Sequence, residues 1–208
     1  NDQRICAITA AMESGTGLNY YKKNIKVSGR YHDVGIAEEF GVTFASALAA
    51  GGSIPVFAVY STLLQRAYDQ LIHDASIEKR HIVLGIDRAG IVGDDGETHQ
   101  GVFDAAFLLT VPGAVLYAPS NFSELKSMLN SCIYDETGIA ALRYPRGGED
   151  EICAGYTPTG KNFDIINNGG KKIVVTYGRT FSAALKAAGI TGDADVMKLN
   201  RVLPIDKA

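Results

Sequence analysis

Four short stretches concentrate residue types that do chemistry. The densest is Arg88-Ala-Gly-Ile-Val-Gly-Asp-Asp95-Gly-Glu-Thr-His99-Gln-Gly101, with a guanidinium, three acidic residues and an imidazole in one glycine-rich run. Gly and Asp are ordinary turn residues, but turns seldom recruit Arg and His as well, so the run reads as a binding or catalytic loop. A metal site built from Asp94, Asp95, Glu97 and His99 is the weaker reading, because the spacing matches neither a calcium loop nor a zinc helix.

The other three stretches also sit where an apolar run gives way to polar residues. Gly35-Ile-Ala-Glu38-Glu39 opens a helical pattern, where a carboxylate either complements the helix dipole or serves as a buried acid-base group. In Tyr60-Ser-Thr-Leu63-Leu-Gln-Arg66-Ala-Tyr68-Asp-Gln70, Tyr60 and Arg66 suit an anion, while Tyr68 and the leucines suit a core. Arg143-Tyr-Pro-Arg146-Gly147 offers two guanidinium forks, apt for phosphate and equally common on plain surfaces. His32, His73 and His81 fall within or beside regular elements and are assigned structural roles.

Short apolar runs alternate with segments of helical period, the signature of an α/β fold with a mostly parallel sheet. The expected strands are 5–9, 31–34, 56–60, 82–87, 114–118 and 139–144, making a six-stranded sheet flanked by helices. Helices are expected over 38–50, ending at Gly51-Gly52, along the stripe Leu64, Tyr68, Leu71, Ile72, Ala75, and from Asn121 through Leu125, Met128, Leu129 and Cys132. Ligands of such sheets bind outside the carboxyl ends of the strands, where all four stretches fall. The expected organisation is a first domain over residues 1–147, a polar, glycine-rich linker over 148–171, and a partial second α/β domain over 172–208. That second part comprises a strand at 172–177, a helix at 180–188 closed by Gly189, and a strand at 196–199.

The composition is that of a soluble globular protein: 208 residues, 46% hydrophobic and 21% charged. A net charge of −3 without basic runs gives no footprint for nucleic acid, and no apolar stretch is long enough to span a bilayer, so neither partner is expected. Cys6, Cys132 and Cys153 are odd in number and lack metal-ligand spacing, which points to a reducing, cytoplasmic setting. The chain starts without Met and stops at Asp206-Lys-Ala208, where Asp206 is placed to cap a further helix; it reads as a fragment.

In their order and spacing the four stretches resemble the 1-deoxy-D-xylulose-5-phosphate synthases, transketolase-like enzymes dependent on thiamine diphosphate and Mg2+. Asp33-Val-Gly-Ile-Ala-Glu38 is similar to the family's cofactor-activating segment, 60–70 to its YSTFLQRAYDQ stretch, 88–101 to RAGxVGxDGxTHxG, and 143–147 to RYPRG. The resemblance implies a pyrimidine-binding domain in which Glu38 contacts N1′ of the aminopyrimidine and Leu63 stands where the family stacks a phenylalanine on that ring. Tyr60, Arg88 and Arg146 are implied ligands of the glyceraldehyde 3-phosphate phosphate, with Arg66, Asp95 and His99 lining the substrate channel and His99 relaying a proton. Pyruvate is the implied second substrate, and a homodimer the implied assembly. The chain departs from the family at Glu39-Phe40-Gly41, in place of Gln-His-Ala, and at Leu63. It has no Gly-Asp-Gly with a downstream Asn, so the Mg2+ ligands are expected in an N-terminal domain outside it, and the chain alone is not expected to turn over. The competing readings are the C-terminal half of a split transketolase, a beta-type 2-oxo acid dehydrogenase subunit, and a degenerate, non-catalytic pyrimidine-domain module.

Overall fold

The computed structural model describes residues 2–24 and 29–205. The first sheet is built from near-continuous apolar runs, as a parallel sheet covered on both faces requires. Its strands are β1 (Ile5–Thr9), β2 (Tyr31–Asp33), β3 (Ile54–Tyr60), β4 (Ile82–Asp87), β5 (Val115–Tyr117) and β6 (Ile139–Arg143), joined at one edge by β10 (Arg201–Leu203). The order is β10-β5-β6-β4-β3-β1-β2, parallel throughout except for β10, which runs antiparallel to β5. The fold class expected from the sequence is therefore the observed one, with seven strands in place of six. Three residues are too few for strand periodicity to register, and β10 is held by burial of Val202 and Leu203 in the main core.

Six crossover or flanking helices follow the strands: α1 (Leu18–Asn24), α2 (Glu38–Ala50), α3 (Ser61–Leu64), α4 (Tyr68–Gln70), α5 (Asp104–Leu108) and α6 (Phe122–Tyr134). α3 and α4 belong to one helical stretch over 61–76, interrupted by a 3-10 turn at Gln65–Ala67 and finished by a π turn at Leu71–Ser76. Its apolar stripe is fully buried at Leu64, Leu71 and Ala75, but Tyr68, read as core, is surface-exposed, its hydroxyl hydrogen-bonded to that of Thr110. Asn121 caps α6 by accepting from the Glu124 N–H at 2.8 Å. The short α1 and α5 carry too little periodicity to be anticipated.

The second sheet is three-stranded, β7 (Phe163–Ile166), β9 (Ala194–Leu199) and β8 (Lys172–Thr176), with β7 antiparallel to β9 and β8 parallel to it. The stretch read as a structureless linker thus contains β7 and a one-turn helix, α7 (Glu151–Ala154), capped by Asp150. Both are short enough for Gly and polar residues to mask their pattern. α8 runs Thr180–Thr191, past Gly189; the residue that ends it is Gly192, left-handed at φ +68°, which a side chain would strain. Asp206 lies outside the described residues.

The two sheets are locked by a buried ionic cluster that local sequence did not reveal. Lys198 of β9 and Glu124 of α6 are both fully buried, with Lys198 Nζ donating to Glu124 Oε1 at 2.6 Å and to Asn200 Oδ1 at 2.7 Å. Glu124 Oε2 also accepts from the Ser120 N–H and hydroxyl. Asn200 passes the network to Asp164, which accepts from Tyr156 and Thr159 as well. Burial holds the Lys198 ammonium below its usual range, against the pull of Glu124. Such a pair contributes little net stability over an apolar substitute, but removing one partner strands the other charge.

Lys198→Met is therefore expected to lower the unfolding free energy by about 3–5 kcal/mol. Adding Glu124→Gln, which keeps an acceptor for Ser120, restores most of the loss in urea titrations. Equal destabilisation by the single and double variants would show that the pair is not what couples the sheets.

Candidate functional site

At the carboxyl end of β4 the buried Asp87 is followed by Arg88, whose backbone takes a left-handed conformation at φ +57°. That geometry costs an ordinary side chain about 1–2 kcal/mol. It is held because Asp87 Oδ1 accepts from the Arg88 N–H at 2.6 Å while Asp87 Oδ2 accepts from Arg88 Nη1 at 2.8 Å. Arg88 Nη1 also donates to the Gly15 carbonyl at 2.7 Å, and the guanidinium lies 4.1 Å from the Tyr60 ring centroid, within cation-π range. Burial pushes the Asp87 carboxyl up from its ordinary range, opposed by Arg88. Asp87 was read only as the end of a strand; a carboxylate closing a fully apolar run was the available signal.

The loop that follows folds back on the same arginine. Gly90 and Gly101 exchange backbone hydrogen bonds at 2.7 and 2.9 Å, closing the loop at its base. A Cβ on Gly101 would sit 2.2 Å from the Arg88 carbonyl and 2.6 Å from the Ser61 side chain, so only glycine allows this closure. Gln100 braces the interior, its amide bridging Val92 and the Gly96 carbonyl at 2.7 Å each. The loop thereby turns Asp95 inward, where its two oxygens accept from two arginines: Oδ2 from Arg88 Nε at 3.1 Å and Oδ1 from Arg146 Nη1. His99 is half-buried, edge-on to Tyr60 with centroids 5.8 Å apart, and Nδ1 lies 2.8 Å from the Thr98 hydroxyl. Burial raises the Tyr60 phenol, with Arg88 opposing, so it stays a neutral hydroxyl.

Five of the expected residues, Tyr60, Arg88, Asp95, His99 and Arg146, are thus brought into one connected cluster. Glu38, Leu63 and Arg66 form a second group. Glu38, the first residue of α2, is 1% exposed, and both of its oxygens accept from Arg66 Nη1, at 3.0 and 2.9 Å. Arg66 keeps half its side chain in water and has its proton held more tightly by the bond to Glu38. Leu63, one turn earlier, is half-buried against the main core. The ion pair joins Arg66 to Glu38 rather than to Asp95 or His99. Ser61, packed against Gly101 at the base of the loop, has a buried hydroxyl without a hydrogen-bond partner among the described residues.

Of the two strand-end arginines of β6 only Arg146 is part of the cluster. Arg143 is committed elsewhere: it clasps the fully buried Asp104 through Nε and Nη2 at 2.8 and 3.1 Å, and its guanidinium lies 5.4 Å from the Tyr177 ring centroid. Among the described residues no group of three or more His, Cys, Asp and Glu is placed to hold a metal ion, and Asp95 is occupied by its arginines. The three cysteines are buried and unpaired; burial drives the Cys132 thiol up to about 12. No helix among the described residues is long and apolar enough to cross a membrane.

A cavity of about 580 Å³ opens outside the strand ends, lined by Arg88, Tyr144 and Arg146 of the first sheet's side and also by Arg179 of the α8 N-terminus. It is of the size that takes a small metabolite. Chemically the site combines guanidinium groups, a neutral phenol and an imidazole.

Residues 1–148 match the family model described as transketolase, pyrimidine binding domain. The chain is 45% identical over 214 residues to the 1-deoxy-D-xylulose-5-phosphate synthase of Chlorobaculum tepidum, covering 99% of the chain and 33% of that protein. It is 49% identical over 193 residues to the synthase of Anaeromyxobacter sp. (strain K), covering 90% of the chain and 30% of the relative. It therefore spans about a third of the length of the curated relatives it matches. Among solved structures, a split-gene transketolase described as an inactive beta4 tetramer aligns with TM-score 0.82 at 21% identity, over 99% of the chain and 68% of that protein.

The Glu38–Arg66 pair is asymmetric, one member buried and the other half in water. Arg66→Met is expected to strand the carboxylate and lower stability by about 1–3 kcal/mol, whereas Glu38→Gln, which leaves Arg66 to solvent, costs less. Denaturant unfolding of both variants checks this. A Glu38→Gln loss as large as that of Arg66→Met would contradict it.

Proposed function

Because the chain belongs to the transketolase pyrimidine-binding-domain family, we propose that it forms the part of a 1-deoxy-D-xylulose-5-phosphate synthase that activates thiamine diphosphate and holds the sugar phosphate. The reaction joins pyruvate to D-glyceraldehyde 3-phosphate with loss of CO2. The observation that carries this reading is the cluster in which Asp95 holds Arg88 and Arg146 together at the strand ends beside Tyr60 and His99. Its similarity to 1-deoxy-D-xylulose-5-phosphate synthases supports the choice of reaction.

The residues present fit the cofactor's aminopyrimidine end. Glu38 is a buried carboxylate whose one cationic partner is half in water, leaving lone pairs for a ring donor. Leu63 offers an apolar contact. Thiamine diphosphate, when bound with Mg2+, supplies the electron sink for breaking the bond between the pyruvate carboxylate and its carbonyl carbon. Glu38 would then hold the proton at N1′ of the aminopyrimidine, and Arg66, donating to both of its oxygens, orients that carboxylate. Tyr60, Arg88 and Arg146 bind the acceptor's phosphate, with guanidinium forks matching its oxygens. His99, edge-on to Tyr60, moves a proton at the acceptor's carbonyl oxygen. The Mg2+ ligands belong to an N-terminal domain of the same protein, and the assembly is a homodimer working in the cytoplasm.

The test uses the full-length protein bearing these residues, supplied with thiamine diphosphate, Mg2+, pyruvate and D-glyceraldehyde 3-phosphate. CO2 release and 1-deoxy-D-xylulose 5-phosphate formation are the expected readouts. Glu38→Gln is expected to cut turnover by about 10²–10⁴-fold or more while the protein stays folded at the assay temperature. Absence of the sugar-phosphate product in the unmodified protein, or full turnover by Glu38→Gln, would overturn the assignment.

A further inference from the structure

The cavity at the strand ends holds a third guanidinium that belongs to none of the four sequence clusters. Arg179, the exposed N-cap residue of α8, lines the cavity together with Ser182, Arg88 and Arg146. Every other charged side chain lining that cavity is already engaged. Asp87 is bound to Arg88, and Arg88 and Arg146 share Asp95. Glu149 accepts from the Phe122 N–H at 2.7 Å, and Asp150 is paired with Lys186 at 2.5 Å. Arg179 alone among them has no ion pair or side-chain hydrogen bond among the described residues.

Nor does the helix account for it. A cation at a helix N-terminus opposes the dipole, and arginine offers no acceptor for the free N–H groups there, a position that favours Ser, Thr, Asp or Asn. The cavity does account for it. A phosphate monoester carries about −1.5 to −2 charges near neutrality, whereas the charges of Arg88 and Arg146 are largely offset by Asp87 and Asp95. A third, unpaired arginine lining the same cavity supplies what the pair lacks.

We propose that Arg179 is a ligand of the acceptor's phosphate group, closing the sugar-phosphate subsite from the second sheet and making the enzyme selective for phosphorylated over unphosphorylated aldehydes. This rests on the reading of the crevice as a sugar-phosphate site. In it, docking of the two sheets through Lys198 and Glu124 becomes a requirement for acceptor selectivity, because it brings α8 to the crevice.

Calorimetric titration of the 208-residue chain with D-glyceraldehyde 3-phosphate and with D-glyceraldehyde tests the assignment. Arg179→Ala is expected to weaken binding of the phosphorylated aldehyde about tenfold, the loss of one charge-assisted hydrogen bond at a partly exposed position. Binding of D-glyceraldehyde is expected to stay unchanged, and Arg179→Lys to keep part of the affinity. Arg179→Ser separates ligand from helix: it improves the cap, so the melting temperature holds or rises while phosphate-dependent affinity falls. If Arg146→Ala weakens binding and the Arg179 variants do not, the Arg179 assignment is wrong and the sugar-phosphate reading stands. If the unmodified chain binds both aldehydes alike, or Arg146→Ala changes nothing, that reading falls too. Equal loss for both aldehydes in Arg179→Ala would mark a structural role and also overturn the proposal.

Discussion

One carboxylate holding two guanidinium groups together is the interaction on which the rest of the site depends. Arg88 and Arg146 come from the ends of different strands, and like charges at close range repel unless something between them compensates. Asp95 provides that compensation, and the local architecture exists to put it there: the glycine-closed loop, the Gln100 brace, and Asp87 holding Arg88 in a left-handed backbone. On the proposed reading, an incoming phosphate would meet two guanidinium groups already held in place, so little ordering would remain to be done on binding. Asp95 also sets a limit, since it offsets part of the charge that an anion would otherwise feel.

The buried acid of α2 shows a similar economy of partners. Glu38 is out of water at the start of a helix, with one flexible, half-solvated arginine to balance it. A carboxylate so placed remains available to another donor, in a way that Asp87, enclosed by Arg88, does not. The two acids therefore differ although both are buried: Asp87 orients Arg88, and Glu38 is balanced by a single half-solvated arginine.

Much of this was readable in the chain because parallel strands announce themselves as apolar runs and the fold places chemistry where such runs end. Glu38, Tyr60, Arg88 and Arg146 each follow one. Partnerships across long separations were not readable. Arg143 and Arg146 look alike in sequence, yet Arg143 is taken by Asp104, 39 positions away, and only Arg146 reaches Asp95. Arg66 read as a channel residue, but the turn that buries Leu64 swings it to Glu38. Lys198 sits in a strand pattern where a lysine suggests solvent, and its burial follows only from a glutamate on α6. Elements of three or four residues, β7, β10 and α7, carry no period to detect and depend on tertiary pairing for their existence.

The central claim, that Arg88 and Arg146 form a preassembled phosphate-binding pair bridged by Asp95, is tested most directly by observing the guanidinium Nε–H groups by NMR in the 208-residue chain during titration with inorganic phosphate. The account predicts saturable shifts of the Arg88 and Arg146 signals with a common midpoint, while the Arg143 signal, enclosed by Asp104, stays in place. Shifts confined to exposed arginines elsewhere, or separate midpoints for Arg88 and Arg146, would contradict it.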